Sequence, residues 1–294
     1  MKKVMLCAAA LAVTTFAHAG DVAWNYSITP VYAPNTDLDS GGQVKTTWLM
    51  GSLSATTAID KNQRLGLSLS GSQQQWRFDA PKAWGGKTPW QDLYRMQLSL
   101  PYSYATTSGW VYSLSPGVEY SGEDGADRGE SINYGVTTFV ANQVSPSLML
   151  GLGLGAWQGA KEDKVFAFLI VNWKVSDSLT LKNPYVAGPV GPAGLELAWQ
   201  ATPKWELSVG GAVRSYDTRL AKDNAIAANG SLEINTVPVF MSANYALTPD
   251  ASLKLYAGAA LNGEFVMNNQ QGHEVAKENY STMPFLGMTL SGRF

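Results

Sequence analysis

The sequence predicts an all-β protein built as a single antiparallel transmembrane β-barrel of about 14 strands, and three observations carry that prediction. Apolar and polar residues alternate with period two: Tyr94, Met96, Leu98, Leu100, Tyr102 and Tyr104 are interleaved with Arg95, Gln97, Ser99 and Ser103. Such stretches run about 9 to 13 residues, the length a tilted strand needs to cross hydrocarbon, where strands of globular sheets usually have five or six. Aromatic residues gather at one set of strand ends, with Tyr104, Trp110, Trp173, Trp199, Trp205, Tyr245 and Phe294 placed as rings with an apolar body and a polar edge are at headgroup level. The opposite face of Ser, Thr, Asn, Gln and Gly is too polar for half of a sandwich core.

The first segment is read as a leader. Lys2 and Lys3 precede the apolar run Val4 to Phe16, which ends in Ala17-His18-Ala19, so residues 1–19 are expected to be a signal peptide for Sec-type export. Residues 20–294 are then one barrel domain. The single cysteine, Cys7, lies inside the leader, which leaves no thiol for disulfides.

The same alternation continues along the chain. Val22, Trp24, Tyr26 and Ile28 oppose Ala23, Asn25, Ser27 and Thr29; Leu148, Leu150, Leu152 and Leu154 alternate with Met149 and glycines 151, 153 and 155; Trp205, Leu207 and Val209 are followed by Val237, Val239 and Met241. Tight turns fall at 59–63, 106–109, 144–147, 175–178, 201–204 and 247–250, where Ser, Thr, Pro and Asp supply turn geometry. Longer polar connections fall near 33–43, 79–91, 121–131, 158–164, 182–193, 217–231 and 264–281. Short turns at one end and long loops at the other orient the barrel, with the turns in the periplasm. The interruption at 179–195 leaves 12 strands as the alternative count, and its Pro184, Pro189 and Pro192 suggest an inward constriction.

The terminal PFLGMTLSGRF resembles the C-terminal signature of Gram-negative outer-membrane β-barrel proteins, with Phe294, Leu290 and Met288 matching its final aromatic and alternating apolar positions. That resemblance implies recognition by the barrel-assembly machinery and residence in the cell outer membrane among its lipids and lipopolysaccharide. GPAGLELAWQATPKWELSVGGAVRSYDTRL and VPVFMSANYALTPDASLKLYAGAALNGEF are similar to a family of uncharacterised outer-membrane barrels, a domain of unknown function. It implies placement and no activity.

Composition limits the chemistry. Lys and Arg number 21 against 23 Asp and Glu, so no basic excess supports nucleic-acid binding. After the leader one histidine remains, His273, in the last loop beside Glu274, with no serine in a nucleophile turn; a lipid-modifying enzyme is the least favoured reading. The acidic run 122–130 lacks the ligand spacing of a calcium loop, and no cofactor or metal site is expected. Trp76, Trp84 and Trp90 are read as outer-loop aromatics able to stack on sugar or an apolar solute. The registers place Arg95, Gln97, Glu119, Asn133, Glu196, Arg214, Glu233 and Asn235 on the lumen, with Lys45 beside them. Lumen charges of both signs suit a passive, porin-like small-solute channel of low selectivity. The alternatives are a closed structural or adhesive barrel, or a transporter of a hydrophobic solute.

Overall fold

The computed structural model describes residues 22–184 and 193–294, so the expected leader and Pro189 and Pro192 lie outside the described residues. Fourteen antiparallel strands form one closed sheet. They are β1 (Val22–Asp37), β2 (Gln43–Ala58), β3 (Gln63–Asp79), β4 (Asp92–Ser99 and Tyr102–Ala105), β5 (Trp110–Glu123), β6 (Ile132–Ser145) and β7 (Leu148–Trp157). The second half comprises β8 (Lys164–Lys174), β9 (Leu179–Lys182), β10 (Gly194–Thr202), β11 (Trp205–Ala212 and Arg214–Arg219), β12 (Ser231–Thr248), β13 (Ala251–Asn268) and β14 (Glu274–Tyr280 and Met283–Arg293). Each strand pairs with its sequence neighbour, and β1 closes on β14 from Asn25↔Arg293 to Tyr32↔Leu286. Closure removes the sheet edge, so backbone groups find partners without water.

Period two sets the faces. Ile28, Leu98, Leu152, Leu207, Met241 and Leu286 are exposed as a lipid-facing belt, while Ser27, Thr29, Ser208 and Ser242 are buried inside. The six tight turns sit where spacing predicts them. Asp60 accepts the N–H groups of Asn62 and Gln63 through Oδ1 at 2.7 and 2.8 Å, and Thr248 Oγ1 accepts that of Asp250 at 3.2 Å.

The strands run further at the loop end than alternation alone suggests. β1, β2, β3, β12 and β13 have 16 to 18 residues, against the 9 to 11 that cross hydrocarbon, so their far ends rise clear of it. Loops are correspondingly short there, and Trp76, expected in a loop, lies within β3 with its side chain turned inward and 1% exposed.

One hairpin leaves the wall. β11 breaks at exposed Val213, and β12 shifts register against β13 between Asn235 and Val237. Beyond these points Arg214–Arg219 pairs with β12 on one edge and, through Arg219↔Gly122, reaches β5 on the far side of the barrel. The loop end of the β11–β12 hairpin thus leans across the interior as a partition.

Candidate functional site

The two faces of that partition bound different environments. Toward β1–β3 and β13–β14 lies a packed apolar core, because inward positions above the membrane have only one another to meet. Trp48, Trp76, Trp90, Phe265, Leu232 and Ile234 are all buried in it. The rings meet edge-on, Trp76 with Phe265 at 5.5 Å and 89°, Phe78 with Trp90 at 4.8 Å and 76°, and Trp84 with Trp90 at 5.7 Å and 77°. The quadrupole favours that geometry. Trp84 arrives on a single 3-10 turn, Lys82–Trp84, which Gly85 terminates at φ 61° by donating its N–H to Lys82 O. Trp84 and Trp90 are therefore interior side chains in this structure, not surface loop rings, and their Nε1 groups have no acceptor among the described residues.

Loops lock this core at the mouth. Glu123 Oε2 accepts the N–H of Ala221 at 2.8 Å and Asn224 Nδ2 at 2.9 Å, and Asn224 Nδ2 also donates to Pro89 O at 2.6 Å. Arg219 donates to the carbonyls of Ala160 and Asn229 at 2.8 and 3.3 Å, and Lys222 Nζ lies 2.7 Å from Asp127 Oδ2. Four loops meet here, and the acidic run 122–130 serves as one side of their latch.

The other face of the partition opens on a cavity of about 1150 Å³ in the middle of the barrel. Of the sequence-predicted lumen set, Arg95, Gln97, Glu119, Asn133, Arg214, Glu233 and Asn235 line it. Glu196 does not. It is fully buried nearer the turn end, where Lys254 Nζ at 3.0 Å and Ser208 Oγ at 2.5 Å bond its Oε1 and Ser208 meets Ser242 at 2.6 Å. A carboxylate out of water needs such partners to offset desolvation. Lys45 sits on the exposed face of β2 with Thr47 and Leu49, the face opposite inward Val44, Thr46 and Trp48, so its expected lumen position is corrected.

Glu233 and Asn235 line the cavity as expected, although they share the sequence parity of lipid-facing Val239 and Met241. They reach the cavity because the hairpin leans inward, where Glu233 pairs with Lys164 at 2.8 Å. Arg95 lies 3.7 Å from Glu119 and donates at 3.0 Å to Asp217 O across the lumen. Lys164, Tyr216 and Trp48 are wall residues that alternation does not single out. Phe166 and Phe168 were legible in principle, since each faces a glycine of the β7 run, Phe166↔Gly155 and Phe168↔Gly153, leaving room for the rings to lie flat.

His273 is exposed in the β13–β14 turn, its backbone N–H donating to Asn269 Oδ1 at 3.0 Å. No cluster of three or more metal-ligating side chains occurs among the described residues.

No protein-family model matches the chain, and no curated protein matches it. Among solved structures, an outer membrane channel from Pseudomonas putida F1 is 10% identical with a TM-score of 0.49, over 95% of this chain and 100% of that one. The P. putida toluene transporter TodX is 11% identical with a TM-score of 0.45, over 94% and 91% of the two chains. The NanC porin is 8% identical with a TM-score of 0.37, over 90% and 98%. These likenesses are in barrel architecture alone.

Proposed function

We propose that the protein is an outer-membrane channel for small solutes, of low selectivity, narrowed at its outer mouth by the β11–β12 partition. The observation that carries this reading is the mid-barrel cavity, whose wall sets hydroxyl, amide and charged side chains of both signs beside apolar ones such as Trp48, Phe166 and Phe168, a mixture that suits small solutes and no strong ion preference. In this reading the tight turns face the periplasm after Sec-type export, the assembly machinery reads Phe294 and the residues before it, and lipopolysaccharide surrounds the loop end. The similarity of the last third to uncharacterised outer-membrane barrels is consistent with the same placement. The aromatic core above the cavity favours a second reading, a path for apolar solutes. Insertion of purified, heat-modifiable protein into planar bilayers, with liposome swelling in sugars of graded size, tests the channel. Small discrete conductance steps and uptake of the smallest solutes are expected, and a barrel that passes neither ions nor solutes would be a closed structural element.

A further inference from the structure

Among the described basic residues of the cavity wall, Arg95 and Lys164 have carboxylates at ion-pair distance and Arg214 has none. Arg214 is held instead by an aromatic ring. Its Nε donates to Tyr216 Oη at 3.2 Å, and its guanidinium lies 5.0 Å from that ring's centroid. Trp48 fixes Tyr216 edge-on at 5.5 Å and 87°. The two terminal nitrogens of Arg214 make no hydrogen bond among the described residues, and a guanidinium anchored through Nε presents that pair to the two oxygens of a carboxylate.

The rest of the wall restricts what the anion can be. Glu119 and Glu233 are engaged by Arg95 and Lys164, Asp217 accepts the Ala160 N–H at 3.0 Å, and Glu162 and Asp163 are solvated at the rim. These acids repel a second negative charge away from Arg214. Phe166 and Phe168 line the same space, and Phe166 is 43% exposed. One charge at one point, with ring faces in the same chamber, fits an anion with an apolar body.

We propose that the cavity binds a small monocarboxylate with an apolar ring or chain, the carboxylate on Arg214 and the body against Phe166 and Phe168. The proposal deepens the channel reading and rests on the same cavity. It is tested with benzoate, acetate and benzyl alcohol, by calorimetric titration of the folded full-length protein in detergent and by uptake into proteoliposomes. Benzoate is expected to bind more tightly than either other probe. Arg214→Gln should weaken it tenfold or more with benzyl alcohol unaffected, Arg214→Lys should retain part of the affinity, and Phe166→Ala should weaken benzoate more than acetate. Unchanged benzoate affinity in folded Arg214→Gln, or benzyl alcohol binding as tightly as benzoate, would overturn the site. Benzoate binding that depends on Arg214 without benzoate uptake supports the site and overturns the channel; equal uptake of all three probes without an Arg214 effect does the reverse.

Discussion

The ring of Phe294 lies parallel to that of Trp24, with centroids 6.1 Å apart and 2° between planes, and each residue donates its N–H to the other's carbonyl, at 3.1 and 3.0 Å. The last residue and the first strand thus lock the seam at the turn end. Phe294→Ala removes the stack while keeping the backbone pair. It should lower the yield of heat-modifiable barrel well below that of the loop change His273→Ala, also at an exposed position, and Trp24→Ala should reproduce part of the loss. An aromatic pair is worth about 0.5–1.5 kcal/mol beyond its area burial.

Leu98 and Gln97 are adjacent in β4 and face opposite solvents. Leu98→Arg puts a charge toward lipid and should cost about 2–4 kcal/mol if near the bilayer midplane, while Gln97→Arg enters the cavity and should cost much less. Refolding titrations in lipid read the difference. Ser208, although on the same inner face, is packed between Glu196 and Ser242, so Ser208→Arg should be costly too.

Gly263 lies under the ring of Tyr280, where an added Cβ would overlap ring atoms, whereas one on Gly51 would meet its nearest neighbour, Ser27 O, at 3.6 Å. Gly263→Ala should therefore destabilise the loop-end core by about 1–3 kcal/mol, as overpacking does. Gly51→Ala should be nearly silent. Denaturant unfolding of the two variants checks the contrast.

Lys222, hydrogen-bonded to Asp127, holds that carboxyl below its ordinary range, and the backbone N–H groups of Glu130 and Gly129 add to the effect. A carboxylate with a depressed folded pKa stabilises above its unfolded pKa and loses that contribution as pH falls through the depressed value. Conductance should accordingly rise on strong acidification. Asp127→Asn should raise it at neutral pH and flatten the acid response, and Arg219→Ala, which deprives the Ala160 and Asn229 carbonyls of their donor, should raise it further.

Strand identity and facing were legible because a barrel wall has two solvents, and alternation records which one each side chain meets. Leu98, Leu207 and Met241 obey that record, as do Arg95, Gln97 and Asn133. The misplaced residues lie where the alternation ceases to refer to lipid. Trp76 read as a loop residue because β3 continues beyond the membrane, where polar outer positions look like a loop. Trp84 and Trp90 belong to a core formed between strands far apart in sequence, which a local pattern does not encode. Glu233 and Asn235 are not among the misplaced residues, since they line the cavity as expected, but they do so through a bulge and a lean and against their parity. Lys45 breaks no pattern, since a lysine above the hydrocarbon is as well solvated outside as inside. The isolation of Arg214 depends on where every nearby carboxylate points, and one strand's sequence carries none of that.

The partition consists of wall strands, and among the described residues no separate plug fills the barrel. In the channel reading, widening the mouth moves the β11–β12 hairpin about Val213 and the Asn235/Val237 register shift with its own ladder intact. Motions of a hydrogen-bonded unit of this size are collective and belong to the microsecond to millisecond range, slower than the flicker of a single loop. In the channel reading the hairpin moves as one unit, and a current record should show dwell times at fixed levels in place of a broad continuum.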